Sequence, residues 1–218
     1  MSDKRQDKYE IAVVGAGGGI GRQVVELALA EGHKVTAIVR NPAKLMLEHE
    51  NLLIVKGDIM DLASLSGALE NKDAVISAIG KNSVKKTSLY SQGNKNLLEL
   101  FKNTSTQRVF FISASGLEVN PSHSILVQLV TRFILQKILK NMYADLWKME
   151  EIVKGSDIAW TIMRPPQLTD GALTGRYRHS IDHFLPKGLK ISRADLAHFI
   201  LRNIANEQIV QTTVEVAY

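Results

Sequence analysis

Short apolar runs alternate with longer amphipathic ones through the first half of the chain. Residues 11–14 form a compact apolar run that stops at Gly15. Ile20, Val24, Leu27 and Leu29 then recur at helical spacing over 20–30, with Gly32 as a C-cap. Further apolar runs at 35–39, 52–55, 74–79 and 109–112 read as strands. Between them, Pro42 opens a short helix, Asp61 caps a segment over 62–69, and 88–101 is helical. Continuous apolar strands separated by helices are what a parallel sheet covered on both faces requires. With right-handed crossovers this predicts an α/β, Rossmann-type doubly wound sheet in a single domain over 9–218.

The second half is less regular. Residues 121–154 read as helical, with a break near Asn141. A sixth strand at 159–163 ends in Arg164-Pro165-Pro166, and a loop-rich stretch runs over 167–190. Ser192 is the expected N-cap of a helix through Asn203, with Asp195 at the capping-box position, and 212–216 is a last strand. Elements from about 115 to 190 are expected to build the substrate side. Residues 1–8 are polar and charged, and read as a flexible N-terminus.

Composition narrows the chemistry. The chain has 218 residues, 45% of them hydrophobic and 22% charged, with no cysteine. A core of this size needs no disulfide or metal staple. The missing cysteine excludes thiolate zinc sites, iron–sulfur clusters and a cysteine nucleophile. A net charge of +5 suits an anionic ligand but is too small, unclustered, to argue for nucleic acid. With no apolar leader and no membrane-length run, a cytoplasmic protein without an integral membrane segment is expected. His179 and His183 are four apart but lack a third ligand nearby, so no metal is expected.

The strongest chemical signal lies between the first strand and the first helix: Gly15-Ala16-Gly17-Gly18-Gly19-Ile20-Gly21. Gly15 permits a tight turn, Gly18 leaves room for a pyrophosphate, and Gly21 lets the helix pack closely. The helix N-terminus then offers N–H groups and positive partial charge to the anion. Arg40 follows the second strand, where an acidic residue would select NAD; arginine there grips a 2′-phosphate or is simply a solvated loop charge. Lys44 and Arg22 add positive charge, so NADP (NADPH) is the expected cofactor. Asp58 either accepts the adenine amine, with Ile59 packed on the ring, or caps a turn. Ala78, Ile79 and Gly80 are small or apolar residues at a strand exit, where ribose and pyrophosphate can lie close.

These residues resemble the atypical short-chain dehydrogenase/reductase group, the NAD(P)-binding NmrA-like proteins. The resemblance also includes Gly57-Asp58, Ser91-Gln92-Gly93 leading to Asn96, residues 112–116, Lys148-Met149-Glu150-Glu151, and residues 160–165. Residues 165–167 and 173–177 are most similar to its flavin reductase (biliverdin reductase B) branch, although a histidine of that branch is Gln167 here. The resemblance implies that Ser113 is the active-site serine, that Lys148 binds ribose or phosphate, and that Pro165, Pro166, Gln167 and Leu168 pass near the nicotinamide. Family enzymes pair a tyrosine with a lysine four residues later. Here that position is Ala144, and Tyr143 is one residue off. The resemblance to the flavin reductase branch, which also lacks the standard tyrosine, implies direct hydride delivery to a small conjugated, quinone-like or flavin-like acceptor. The alternatives are an NADP(H)-sensing regulator of the NmrA type and an epimerase or dehydratase.

Residues 125–143 are apolar nearly all round, interrupted only by a few polar residues, among them Arg132, Lys137 and Lys140. Such a helix is expected to pack on the core, with some apolar surface left for a subunit or partner interface (a homo-oligomer among them) or a substrate cover; the further alternative is contact with a membrane surface.

Overall fold

A computed structural model describes residues 8–218 except 82, 103 and 107. The expected flexible end, save for Lys8, lies outside the described residues. The elements, in chain order, are β1 (Glu10–Val14), α1 (Gly19–Ala30), β2 (Lys34–Val39), β3 (Leu52–Lys56), β4 (Ala74–Ser77), α2 (Leu89–Phe101) and β5 (Arg108–Ile112). There follow α3 (Ile125–Val130), α4 (Gln136–Ile138), α5 (Lys140–Lys154), β6 (Ala159–Met163), β7 (Gln167–Thr169), β8 (Arg178–Ile181), β9 (Lys190–Ser192), α6 (Arg193–Arg202) and β10 (Thr212–Ala217).

Eight strands form the main sheet in the order β3-β2-β1-β4-β5-β6-β10-β8. All pairings are parallel except β8 on β10. The chain winds one way from β1 to β3 and the other way from β4 onward, so the strand order reverses between β1 and β4. In open α/β sheets ligands collect in the crevice outside the strand ends at that reversal. The glycine turn leaves β1 there.

Burial explains the sheet. Four of the five residues of β1 and all of β4 and β5 are buried. Helices α1 and α6 pack together on one face, and α2 and α5 on the other. Val13, Val24, Phe110 and Leu196 belong to the first core; Val14, Leu97, Phe111 and Met149 belong to the second.

The outlines differ from expectation in three places. The helix expected over 62–69 is only a 3₁₀ turn, Leu62–Leu65. Asp61 does cap it, accepting from Ala63 N at 3.2 Å, but Gly67 at φ +77° turns the chain away. The helical stretch begins only at Ile125, and the break expected near Asn141 falls at Leu139 (φ −95°, ψ 13°). Between lies a π-helical turn, Thr131–Leu135, a local widening that periodicity does not reveal. Finally, the loop over 167–190 contains β7, which pairs with β9, and β8, which edges the main sheet. Both strands are short and of mixed polarity, so no apolar run marks them.

Ser192 caps α6 by accepting from Asp195 N at 2.9 Å. The Asp195 carboxylate does not complete the capping box. It accepts instead from Thr174 N (2.9 Å), Gly175 N (2.8 Å), the Thr174 hydroxyl (2.8 Å) and the Tyr218 hydroxyl (2.6 Å). That anchors the 170–175 loop and the C-terminus to the start of α6. No helix of the described residues is long and apolar enough to cross a membrane.

Candidate functional site

At Gly15 and Gly21 the turn after β1 leaves no room for a side chain. Gly15 has φ +84°, and a Cβ on it would lie 2.8 Å from the Ala78 carbonyl oxygen. A Cβ on Gly21 would overlap the Gly15 carbonyl oxygen. Gly15 N and Ala16 N both donate to Ile38 O, at 3.1 and 3.3 Å, and Gly18 N donates to Gly15 O at 3.0 Å. The turn is thereby fastened to β2 and to itself. Helix α1 opens at Gly18 with no capping side chain and no acid in its first turn. Its N-terminal amides and positive partial charge are left for an anion. A cradle closed to Cβ atoms at Gly15 and Gly21 and an uncapped helix fit a dinucleotide pyrophosphate.

Around the turn, Ala78 is buried, Ile79 half-buried and Gly80 exposed, with nothing within 4 Å of a Cβ on Gly80. Gly17 faces only the Val39 side chain, 3.7 Å from its own Cβ position. Arg40 is exposed one residue beyond β2. Arg22 is engaged elsewhere, with Glu26 (2.8 Å) and the Leu45 carbonyl (3.2 Å). The side chain of Lys44 lies outside the described residues. Asp58 forms a local turn: its Oδ1 accepts from Met60 N at 3.0 Å. Ile59 is 4% exposed and packs under α2 against Gly93, so its side chain belongs to the core and not to an open surface.

Arg193, which sequence reasoning assigned no role, crosses this turn. A Cβ on Gly19 would lie 2.6 Å from Arg193 Nε, and the guanidinium pairs with the exposed Asp170 at 2.6 Å. A cation from α6 therefore lies over the N-terminus of α1. The first residue of a helix near the end of the chain gives no sign of this in sequence; the α1–α6 packing creates it.

The exits of β5 and β6 are tied together. Ser113 N donates to Met163 O (2.8 Å) and Ser115 N to Pro165 O (3.0 Å). Pro165 is buried, Pro166 and Leu168 half-buried, and Gln167 exposed. The Ser113 hydroxyl donates to Glu150 Oε1 at 2.6 Å. In this structure it is engaged there and is not free to donate to a ligand. Glu150, 2% exposed, also receives Arg164 Nε (2.9 Å), Arg164 Nη2 (2.6 Å) and Lys154 Nζ (3.2 Å), while Arg164 Nη1 reaches Glu118 at 2.5 Å. Burial opposes the Glu150 charge. The hydrogen bonds and charge of Arg164, with Ser113 and Lys154, outweigh it and hold the carboxyl below its usual range. The sequence did carry a signal for this residue. Glu150 stands at the helical register of Leu146, Met149 and Val153, all buried, and an acid on an apolar stripe demands a buried cation.

Tyr143 and Lys148 are not brought together. Tyr143 is buried, with its hydroxyl beside Gly116, and burial pushes its pKa up. Lys148 is exposed, about 140° around α5 by helical geometry.

Beyond Arg164 lies a cavity of about 320 Å³, lined by Glu118, Lys154, Asp182, His183, Phe184 and Glu215, among others. Glu215 Oε2 accepts from Leu185 N at 2.7 Å, and burial raises its pKa.

Comparison with known proteins agrees with this geometry. The chain is 25% identical to the uncharacterized protein YwnB of Bacillus subtilis, over 91% of this chain and 93% of that one. It is 24% identical to the phenylcoumaran benzylic ether reductase IRL1 of Ginkgo biloba, over 94% of this chain and 68% of that protein. A solved structure from Streptococcus pneumoniae, provisionally assigned as an NADH-flavin reductase, has the same fold, with a TM-score of 0.76. The two are 24% identical, covering 96% of this chain and 99% of that one. Residues 15–207, from the first glycine of the turn to beyond α6, match the NAD(P)H-binding family, and the chain belongs to that family.

Proposed function

We propose that the protein is an NADPH-dependent reductase acting on a small conjugated, quinone-like or flavin-like acceptor. The observation that carries this reading is the glycine turn at the β1/β4 reversal, closed to side chains at Gly15 and Gly21 and opening on an uncapped α1. Gly15, Ala16, Gly17, Gly18, Gly19, Ile20 and Gly21 would hold the pyrophosphate, with Arg193 above them. Arg40 would hold the 2′-phosphate. Ala78, Ile79 and Gly80 would lie along the ribose. Pro165, Pro166, Gln167 and Leu168, joined to Ser113 and Ser115 through the strand exits, would border the nicotinamide.

When bound, the nicotinamide supplies a hydride. The chain's own contribution is binding and orientation. With Tyr143 buried, Lys148 turned to solvent and the Ser113 hydroxyl held by Glu150, none of these three side chains is placed to give a proton to an acceptor. That suits an electron-poor acceptor needing no acid catalysis, and it weighs against an epimerase or dehydratase. The name borne by the Streptococcus pneumoniae structure and the resemblance to flavin reductases of the biliverdin reductase B type support the same acceptor class.

The same placement of these three side chains also favours a second reading, a regulator that senses NADP(H) without turnover. Following NADPH absorbance against a panel of flavins, quinones and aldehydes separates the two. Turnover with flavins or quinones is expected; tight NADPH binding with no turnover by any acceptor would favour the sensor.

For cofactor choice, Arg40→Ala should weaken NADPH binding by about tenfold and leave NADH binding nearly unchanged, the expected loss of a charge-assisted contact. Fluorescence titration of both nucleotides into both proteins measures this. Equal affinities of the unaltered protein for NADPH and NADH would remove the 2′-phosphate assignment.

A further inference from the structure

The helical stretch from Ile125 to Ile138 presents an outward face that no described residue covers. Ile125, Leu126, Phe133, Ile134 and Ile138 are each more than half exposed, with Leu129 and Val130 close behind. Its inner side is fastened by amides. Gln136 Nε2 donates to the carbonyls of Gly116 and Leu117, both at 3.1 Å, and Gln128 Nε2 donates to that of His123 at 2.8 Å. The Gln136 bonds fix which side faces the protein, and the apolar side chains are left pointing away from it.

The charges on this face have one sign. No aspartate or glutamate occurs over 119–144, whereas Arg132, Lys137 and Lys140 are exposed there. Arg132 and Lys137 lie over the Phe133 ring, 5.9 and 5.8 Å from its centroid, so the cations share the apolar surface. Asn141 Nδ2 donates to Val84 O at 2.8 Å, which joins a loop with exposed Val84, Lys85 and Lys86 to the end of the stretch. A second copy of this face would set the same cations against each other with no acid between them. A surface that is anionic outside and apolar beneath satisfies both features at once.

We propose that this face seats the protein on an anionic phospholipid bilayer, lying in the interface and not crossing it. Fourteen helical residues extend about 21 Å, short of the roughly 30 Å hydrocarbon core. The Gln136 latch to Gly116 and Leu117 sets this contact beside the exit of β5. The inference does not depend on what the nucleotide site does.

Co-sedimentation of the full chain with vesicles tests it. Binding to vesicles of phosphatidylcholine mixed with phosphatidylglycerol should be on the order of tenfold tighter than to phosphatidylcholine alone, and should weaken as salt is raised. Phe133→Ser with Ile134→Ser should abolish binding while leaving NADPH titration and the thermal melt unchanged. Lys137→Gln with Lys140→Gln, which spares the apolar side chains, should erase most of the preference for phosphatidylglycerol. The proposal is overturned if neither vesicle binds the protein, or if the serine variant binds as well as the unaltered chain. A stable lipid-free dimer that protects 125–138 from hydrogen exchange would likewise overturn it, by assigning the face to a second copy.

Discussion

Replacing Glu150 with alanine should cost about 3–5 kcal/mol of folding stability, the usual consequence of removing one partner of a buried ion pair. Arg164, 8% exposed, would keep its charge in a dry place with the half-exposed Glu118 as its remaining ion-pair partner and Glu215 within electrostatic reach, and the Ser113 hydroxyl would lose its acceptor. Because Glu118 remains, the lower end of that range is expected, a fall in Tm of roughly 10 °C for a chain of this size. Glu150→Leu combined with Arg164→Met should recover most of the loss, since a buried pair exchanged for apolar side chains is often neutral. The pH dependence has a definite sign. The folded Glu150 carboxyl titrates below its ordinary value of 4.5, so its stabilisation is complete above that value and disappears as pH falls through the lower folded one. Urea melts of the unaltered and Glu150→Ala proteins should therefore differ by a constant amount from neutral pH down to about 4.5, and converge below it. A loss under about 1 kcal/mol at neutral pH would mean that water, not the ion pair, satisfies Arg164.

That network illustrates what the sequence disclosed and what it withheld. The strands were legible because parallel strands covered on both faces are continuous apolar runs, as at 11–14 and 109–112. The glycine turn was legible because backbone packing leaves its chemistry no alternative. Ser113, Glu150 and Arg164 all stood inside segments with a family resemblance, yet their mutual contact was not legible. It depends on α5 crossing β5 and β6, a tertiary relation 37 residues apart in one case and 14 in the other. Arg193 over Gly19 and Asp195 holding Thr174, Gly175 and Tyr218 are invisible for the same reason. The π turn at Thr131–Leu135 escaped because it contains neither proline nor glycine; its backbone departs from α geometry without a residue type that announces it. In the nucleotide region the expectation for Ile59 came from its place after a strand, but the close approach of α2 at Gly93 draws the side chain inward.

Gly21→Ala should have the largest effect on nucleotide binding of any one-methyl change in the turn. The added Cβ would meet backbone, the Gly15 carbonyl oxygen, with Ala16 Cα 3.0 Å away, and backbone cannot rotate aside as a side chain can. Relief requires α1 to move off the β1 exit. The helix N-terminus would move with it, and so would the amides meant for the pyrophosphate. The cost should be about 1–3 kcal/mol in stability, as for other overpacked sites, and about a hundredfold in NADPH affinity. Gly17→Ala is the matched control. Its Cβ would touch only the Val39 side chain at an ordinary 3.7 Å, so stability should hold within about 0.5 kcal/mol. NADPH fluorescence titration and urea melts of the two variants read both quantities. A stable Gly21→Ala protein that binds NADPH as tightly as the unaltered chain would show that the pyrophosphate does not lie in this turn. Equal loss of stability from both alanines would show that the turn responds to any methyl group, and not to the specific approach of α1 to Gly15.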